Sequence, residues 1–197
     1  MYTHKIEQAI KAAALLHGDQ LRKGSVPLPY VTHLVAVMMI LRDYTNEEDI
    51  LVAALLHDTL EDTDYTEKEL EEDFGKKVMK LVKTVSEPER NGEHKLNWLQ
   101  SRKQYATQLK NGPVEAVMIA AADKIHNFRS VIDEYYEDHD RFLVDFGPRT
   151  EDRIDAYQTI SNAINNRLKD GIVHEFNHTF AEYKKFIFNV QATQDKI

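Results

Sequence analysis

His57-Asp58 and Glu61-Asp62 are two pairs of ionisable residues that follow the apolar run Ala54-Leu55-Leu56. Ionised groups are costly to bury unless they are paired or bound to a metal, so their position at the end of an apolar helix calls for a partner. Side chains four residues apart share one face of a helix. On a helix continuing through Asp62, Glu61 would lie above His57 and Asp62 above Asp58. Two more residues have the same apolar setting. His33 sits in the amphipathic stretch PYVTHLVAV, and Asp123, four residues before Asn127, follows Val117-Met118-Ile119-Ala120. Taken singly, His33 reads as a hydrogen-bonded core histidine and Asp123 as a helix cap or the partner of an arginine. Together with His57-Asp58 they read as a metal site. Two imidazoles and two carboxylates neutralise a divalent cation, and mixed nitrogen and oxygen donors suit Mn, Fe, Co, Ni or Zn.

The elements that must bring these residues together are helices. Apolar residues recur at helical spacing along most of the chain: Ile6, Ala9, Ile10, Ala13 and Leu16 form one stripe, and Leu34, Val35, Met38 and Leu41 another. Thr45-Asn46-Glu47-Glu48 predicts the start of a helix through Leu56. Thr66 with Glu69 fits a capping box, and Lys77 to Val85 continues as a helix. Pro88 to Gly92 is a break, and further helices are predicted near 94–110, 114–132, 149–169 and 173–189. Strand alternation is nearly absent, so the expected class is all-α. The loop 18–29, GDQLRKGSVPLP, is rich in Gly and Pro and should face solvent.

Composition narrows the function. The chain has 197 residues, of which 42% are hydrophobic, which suits one domain with a sizeable core. Its net charge of −8 argues against a nucleic-acid-binding surface. Residues 43–75 hold 13 Asp or Glu and a single Lys, a run that solvated helix faces explain except near 57–62. The absence of Cys excludes disulfides and Cys-based zinc sites and fits a cytoplasmic location. The N-terminal segment carries Glu7 without a long apolar core, unlike a signal peptide, and no apolar run approaches membrane-spanning length.

HGDQLRKGSVPLPYVTH, AALLHDTLEDT, FGKKVMKLV and AADKIHN resemble, in order, the successive motifs of the HD-domain hydrolases. The closest resemblance is to the hydrolase domain of RelA/SpoT proteins and to the stand-alone metazoan SpoT homologues. It covers roughly residues 9–132. It implies a single HD-type phosphohydrolase domain over 1–197, a helical bundle with its metal in a central cleft and a divergent helical part from 133 to 197. It implies one divalent metal ion, usually Mn²⁺, on His33, His57, Asp58 and Asp123, with Glu61 and Asp62 activating the attacking water. It places Arg22 and Lys23 near the substrate and Asn127 in the nucleotide pocket.

The implied substrate is a phosphorylated nucleotide, first of all (p)ppGpp losing its 3′-pyrophosphate. Another nucleotide such as NADPH, or a catalytically silent nucleotide-binding module, stays open. A second basic pair, Arg102-Lys103, with Trp98 one turn earlier, either reaches substrate phosphates or base, or is an exposed helix face. His17 reads as structural, and His126 as turned away from Asp123 in a core or supporting role. No synthetase or regulatory domain is expected. The segments 86–112 and beyond 135 match poorly and should border the pocket.

Overall fold

The computed structural model describes residues 2–194 apart from 89, 93 and 170. The element order is α1 (His4–Leu16), α2 (Val31–Arg42), α3 (Glu48–Leu55), α4 (Thr59–Asp62), α5 (Glu67–Phe74), α6 (Lys76–Val85), β1 (Arg90–Asn91), β2 (His94–Lys95), α7 (Trp98–Asn111), α8 (Val114–Tyr135), α9 (His139–Phe146), α10 (Thr150–Arg167) and α11 (Ile172–Gln194). The class is all-α, as the periodicity predicts. The exception among the described residues is the small antiparallel hairpin β1–β2, in the region read as a break and a helix start; Glu89, within that break, lies outside the described residues.

Local chemistry explains several helix boundaries. The Thr66 hydroxyl and the Glu69 carboxylate form the capping box that opens α5, and Asn97 with Gln100 forms a second one that starts α7 four residues later than the spacing predicts. Gly75 joins α5 to α6 with φ of 91°, a conformation that glycine reaches without steric cost. The cap expected around Thr45 takes another form. Glu47 is the N-cap residue and makes no side-chain cap bond, while the Thr45 hydroxyl accepts the Glu47 N–H at 3.1 Å. The helix α9 was not anticipated; Asp138 caps it by accepting the Arg141 N–H.

The helix α8 is the centre of the bundle and packs against α2, α3, α6, α10 and α11. Its alanines, Ala116, Ala120, Ala121 and Ala122, are buried; side chains this small let neighbouring helices approach closely. Further along, Phe128 stacks on Tyr183 at 4.4 Å and on Phe180 at 5.4 Å, which fastens α11 to the motif-bearing part. One contiguous buried cluster runs from Ile6 to Val190. No helix among the described residues is long and apolar enough to cross a membrane.

One departure shapes the site. The helix carrying the apolar run does not continue through Asp62: α3 ends at Leu55, a turn covers Leu56 to Asp58, and α4 starts at Thr59. The carbonyls released at the break find local donors. His57 Nδ1 donates to Ala54 O at 2.8 Å, and the Thr59 hydroxyl donates to Leu56 O at 2.6 Å. Thr59 is fully buried, and Leu56 O also accepts the Thr59 N–H at 3.0 Å, so removing the hydroxyl takes away one of two bonds to that oxygen. Thr59→Val is expected to lower stability by about 0.5–1.5 kcal/mol, measured by denaturant unfolding of the metal-free protein.

Candidate active site

The break between α3 and α4 lets two successive residues face one point. His57 Nε2 lies 3.2 Å from Asp58 Oδ2, and His33 Nε2, from α2, lies 3.6 Å from the same oxygen. Asp123, from α8, brings Oδ1 to 3.3 Å from His33 Nε2 and 3.6 Å from His57 Nε2. His33, His57 and Asp58 each offer a donor atom within 4.8 Å of the others. The four residues proposed from spacing therefore meet.

The donor set fits a divalent cation. Both imidazole Nε2 atoms are buried and make no hydrogen bond of good geometry, although carboxylate oxygens stand close by. Buried polar atoms are rarely left this way without a reason. Donors about 2.1 Å from a common cation lie about 3.0–3.4 Å apart at octahedral or tetrahedral angles, close to the observed separations. The other ring nitrogens are held from behind: His57 Nδ1 by Ala54 O, and His33 Nδ1 by His126 Nδ1 at 2.9 Å. That pattern points Nε2 inward in both rings. His126 therefore supports His33. Burial, with His33 and Arg22 beside it, pushes its pKa down to about 3 and keeps it neutral.

The electrostatics suit an added positive charge. Burial disfavours the His57 cation, but Asp58 and Asp123 outweigh it and push its pKa up to about 9. Burial alone dominates at His33 and lowers its pKa. Glu61 is raised well above the ordinary carboxylate range, first by burial and then by Asp58. Its Oε1 accepts the Glu87 N–H at 2.6 Å. Asp62 is exposed at the mouth and accepts from Gln20 Nε2 at 3.0 Å.

His57, Asp58, Glu61, Asp62 and Asp123 line one cleft of about 400 Å³ together with Arg22, Lys23, Asn127 and Arg102, and His33 is buried behind them. Arg22 donates to Asn127 Oδ1 at 3.0 Å, and Asn127 Nδ2 donates to Asp123 Oδ1. Lys23 donates to Asp145 O at 2.7 Å and lies 4.9 Å over the Phe146 ring. Arg102 pairs with Glu87 and lies 5.3 Å over Trp98. Lys103 is a correction. It is exposed and lines a separate surface groove with Asp152 and Asp155, because successive helical residues point about 100° apart.

A family model described as the HD domain matches residues 9–142. The chain belongs to the HD-domain family. Guanosine-3′,5′-bis(diphosphate) 3′-pyrophosphohydrolase MESH1 of Mus musculus is 36% identical over 126 residues, covering 63% of this chain and 68% of the mouse protein. The bifunctional (p)ppGpp synthase/hydrolase SpoT of Escherichia coli strain K12 is 35% identical over 136 residues, covering 64% of this chain and 18% of that protein. The chain spans about a sixth of the length of the long bacterial relatives it matches. The solved structure of a metazoan ortholog of SpoT that hydrolyzes ppGpp superposes with a TM-score of 0.75 at 23% identity, over 92% of this chain and 97% of that one. That likeness is one of fold.

The cleft of this HD-domain protein also uses residues that spacing did not single out. Tyr30 donates to Asp58 Oδ2 at 2.6 Å; burial and the Asp58 charge raise its pKa, so it remains a hydroxyl. Lys124 pairs with Asp123 at 2.8 Å and with Glu87 at 3.3 Å. Its neighbour Asp123 holds its pKa above the usual lysine value despite burial. Tyr30, one turn before His33, and Lys124, beside Asp123, had signals in their positions. Phe146, Arg153, Tyr157 and Tyr183 line the far wall from beyond the HD-domain match. Nothing in their local sequence marks them.

Proposed function

We propose that this HD-domain protein is a metal-dependent phosphohydrolase that removes the 3′-pyrophosphate of (p)ppGpp, and that 1–197 works as one domain. The observation that carries the reading is the pair of buried, unpartnered Nε2 atoms of His33 and His57, facing Asp58 and Asp123 at the floor of a cleft edged with cations. The names of the mouse and E. coli relatives support the substrate.

On this reading His33, His57, Asp58 and Asp123 hold one divalent cation, Mn²⁺ by the family resemblance, with Fe, Co, Ni or Zn chemically admissible. When bound, such a cation polarises a phosphoryl oxygen and makes a water molecule more acidic. Glu61 and Asp62 orient the attacking water and accept its proton. The positive charge that the site is built to take opposes the burial that disfavours the Glu61 carboxylate. Arg22 and Lys23 bind phosphate oxygens, the first as a fork and the second as a point charge. Asn127 ties Arg22 to Asp123, and so couples phosphate contact to the floor of the site. Arg102 supplies a further cation on the opposite wall once phosphate competes with Glu87. Phosphoryl transfer asks for little beyond such positioning and charge stabilisation.

The test is product analysis by ion exchange of ppGpp, NADPH, GTP and AMP incubated side by side with the Mn²⁺-loaded protein. GDP and pyrophosphate are expected from ppGpp, with little turnover of AMP. Cleavage of another nucleotide while ppGpp stays intact would reassign the substrate and keep the phosphohydrolase. Metal-loaded protein that cleaves none of them would favour a nucleotide-binding module.

A further inference from the structure

We propose that Tyr30 and Gln20, tied together by His17, are positioning residues: Tyr30 sets Asp58 for the metal, and Gln20 sets Asp62 for the attacking water. The inference rests on the reading of the cleft given above.

The Tyr30 hydroxyl donates to Asp58 Oδ2 at 2.6 Å. This is the oxygen that stands 3.2 Å from His57 Nε2 and 3.6 Å from His33 Nε2. A hydroxyl bound to that oxygen fixes the carboxylate rotamer and decides which lone pair is left for the centre. Asp62, one turn on, is held by Gln20 Nε2 at 3.0 Å.

The direction of the Gln20 bond is enforced. Its Oε1 lies 2.6 Å from His17 Nδ1. A carboxylate only accepts, so the Gln20 amide nitrogen must face Asp62, and the amide oxygen is left to accept from His17 Nδ1–H. His17 is buried, 3% exposed, and its ring stacks on Tyr30 at 5.1 Å with a 22° interplanar angle. One imidazole thus aligns both holders. The backbone repeats the arrangement: Tyr30 N donates to Gln20 O at 2.9 Å, and Leu21 bridges Pro29 just inside.

Gln20 and Tyr30 therefore form the neck of the loop that carries Arg22 and Lys23. The segment that meets substrate phosphate on one side grips both carboxylates on the other. A disturbance of the loop is transmitted to Asp58 and Asp62 without touching the buried imidazoles.

The experiment compares wild type, Tyr30→Phe, Gln20→Glu and His17→Ala with the double variant His17→Ala/Gln20→Glu. Gln20→Glu keeps the size and the acceptor for His17 but removes the donor to Asp62. Each protein is examined for Mn²⁺ affinity by competition with a chelator, for kcat and KM, and for the melting temperature of the metal-free form. Tyr30→Phe should weaken Mn²⁺ binding roughly 10–100-fold. Gln20→Glu should keep Mn²⁺ affinity and KM while kcat falls on the order of tenfold or more. At saturating Mn²⁺ the double variant should be no slower than Gln20→Glu alone, because His17 acts on Asp62 through Gln20, while its action through Tyr30 is read as weaker Mn²⁺ binding.

Wild-type Mn²⁺ affinity in Tyr30→Phe together with wild-type kcat in Gln20→Glu would overturn the proposal. So would losses of both that simply follow a lowered melting temperature. If Tyr30→Phe fails to fold, the split between kcat and Mn²⁺ affinity in Gln20→Glu still decides the role of Gln20, and a Gln20→Glu protein matching wild type overturns the proposal. Wild-type protein that neither binds Mn²⁺ nor turns over a nucleotide would instead overturn the reading of the cleft.

Discussion

Adding Mn²⁺ to the metal-free protein is expected to raise its melting temperature, and His57→Ala is expected to abolish both that response and turnover. The floor of the cleft holds two imidazole nitrogens without hydrogen-bond partners and two carboxylates turned toward them. A cation binding there binds the folded form alone, since His33, His57, Asp58 and Asp123 come together only through α2, the α3–α4 turn and α8. At a hundredfold excess over its dissociation constant a ligand contributes about 2.7 kcal/mol, which for a chain of this size is a shift of roughly 5–10 °C. His57 is the informative ligand to remove. Asp123 also neutralises Lys124, which is only 6% exposed; Asp123→Ala would leave a buried ammonium short of a partner and confuse metal loss with unfolding. Loss of His57 should reduce metal affinity by more than the roughly 10–100-fold typical of an outer supporting group. Calorimetry with and without Mn²⁺, alongside elemental analysis, checks the result. A His57→Ala protein with full metal content and a normal thermal shift would remove His57 from the ligand set.

Glu61→Gln and Asp62→Asn should each lower turnover by roughly two to four orders of magnitude with little change in metal content. Both substitutions keep shape and remove the ability to accept a proton at neutral pH. The Glu61 case carries a second expectation. Burial and the nearby Asp58 charge work against its carboxylate form, while the bond from Glu87 N needs only an acceptor oxygen, which glutamine retains. In the metal-free protein Glu61→Gln should therefore be at least as stable as wild type while turnover collapses. Such a trade is expected where function holds a charge in an unfavourable place. Steady-state kinetics and denaturant unfolding of the same preparations test both halves. Near-normal turnover in both variants would move the proton role elsewhere; loss of metal would make the two carboxylates part of the metal's support.

Local spacing was enough to reveal His57-Asp58 and Glu61-Asp62, because the members of each pair are neighbours in sequence and the pairs are one turn apart. His33 and Asp123 were legible for a related reason. A charged or imidazole side chain inside an apolar helical stripe has to be partnered, and the two together match the donors that His57-Asp58 leave wanting. The helical class followed from periodicity, and the family resemblance from motifs in order. Other features belong to the tertiary structure. The turn at Leu56, stabilised by His57 and Thr59 closing on freed carbonyls, points His57 and Asp58 at one centre, which a continuous helix would not do. Helix phase puts Arg102 in the cleft and Lys103 outside it. The bond of His126 to His33 crosses between helices, and that of Tyr30 to Asp58 joins the start of α2 to the α3–α4 turn; the far wall of Phe146, Arg153, Tyr157 and Tyr183 also comes from separate helices. Periodicity states which face of a helix is buried; which other helix it meets is decided by packing around α8, and no local stretch of sequence records that choice.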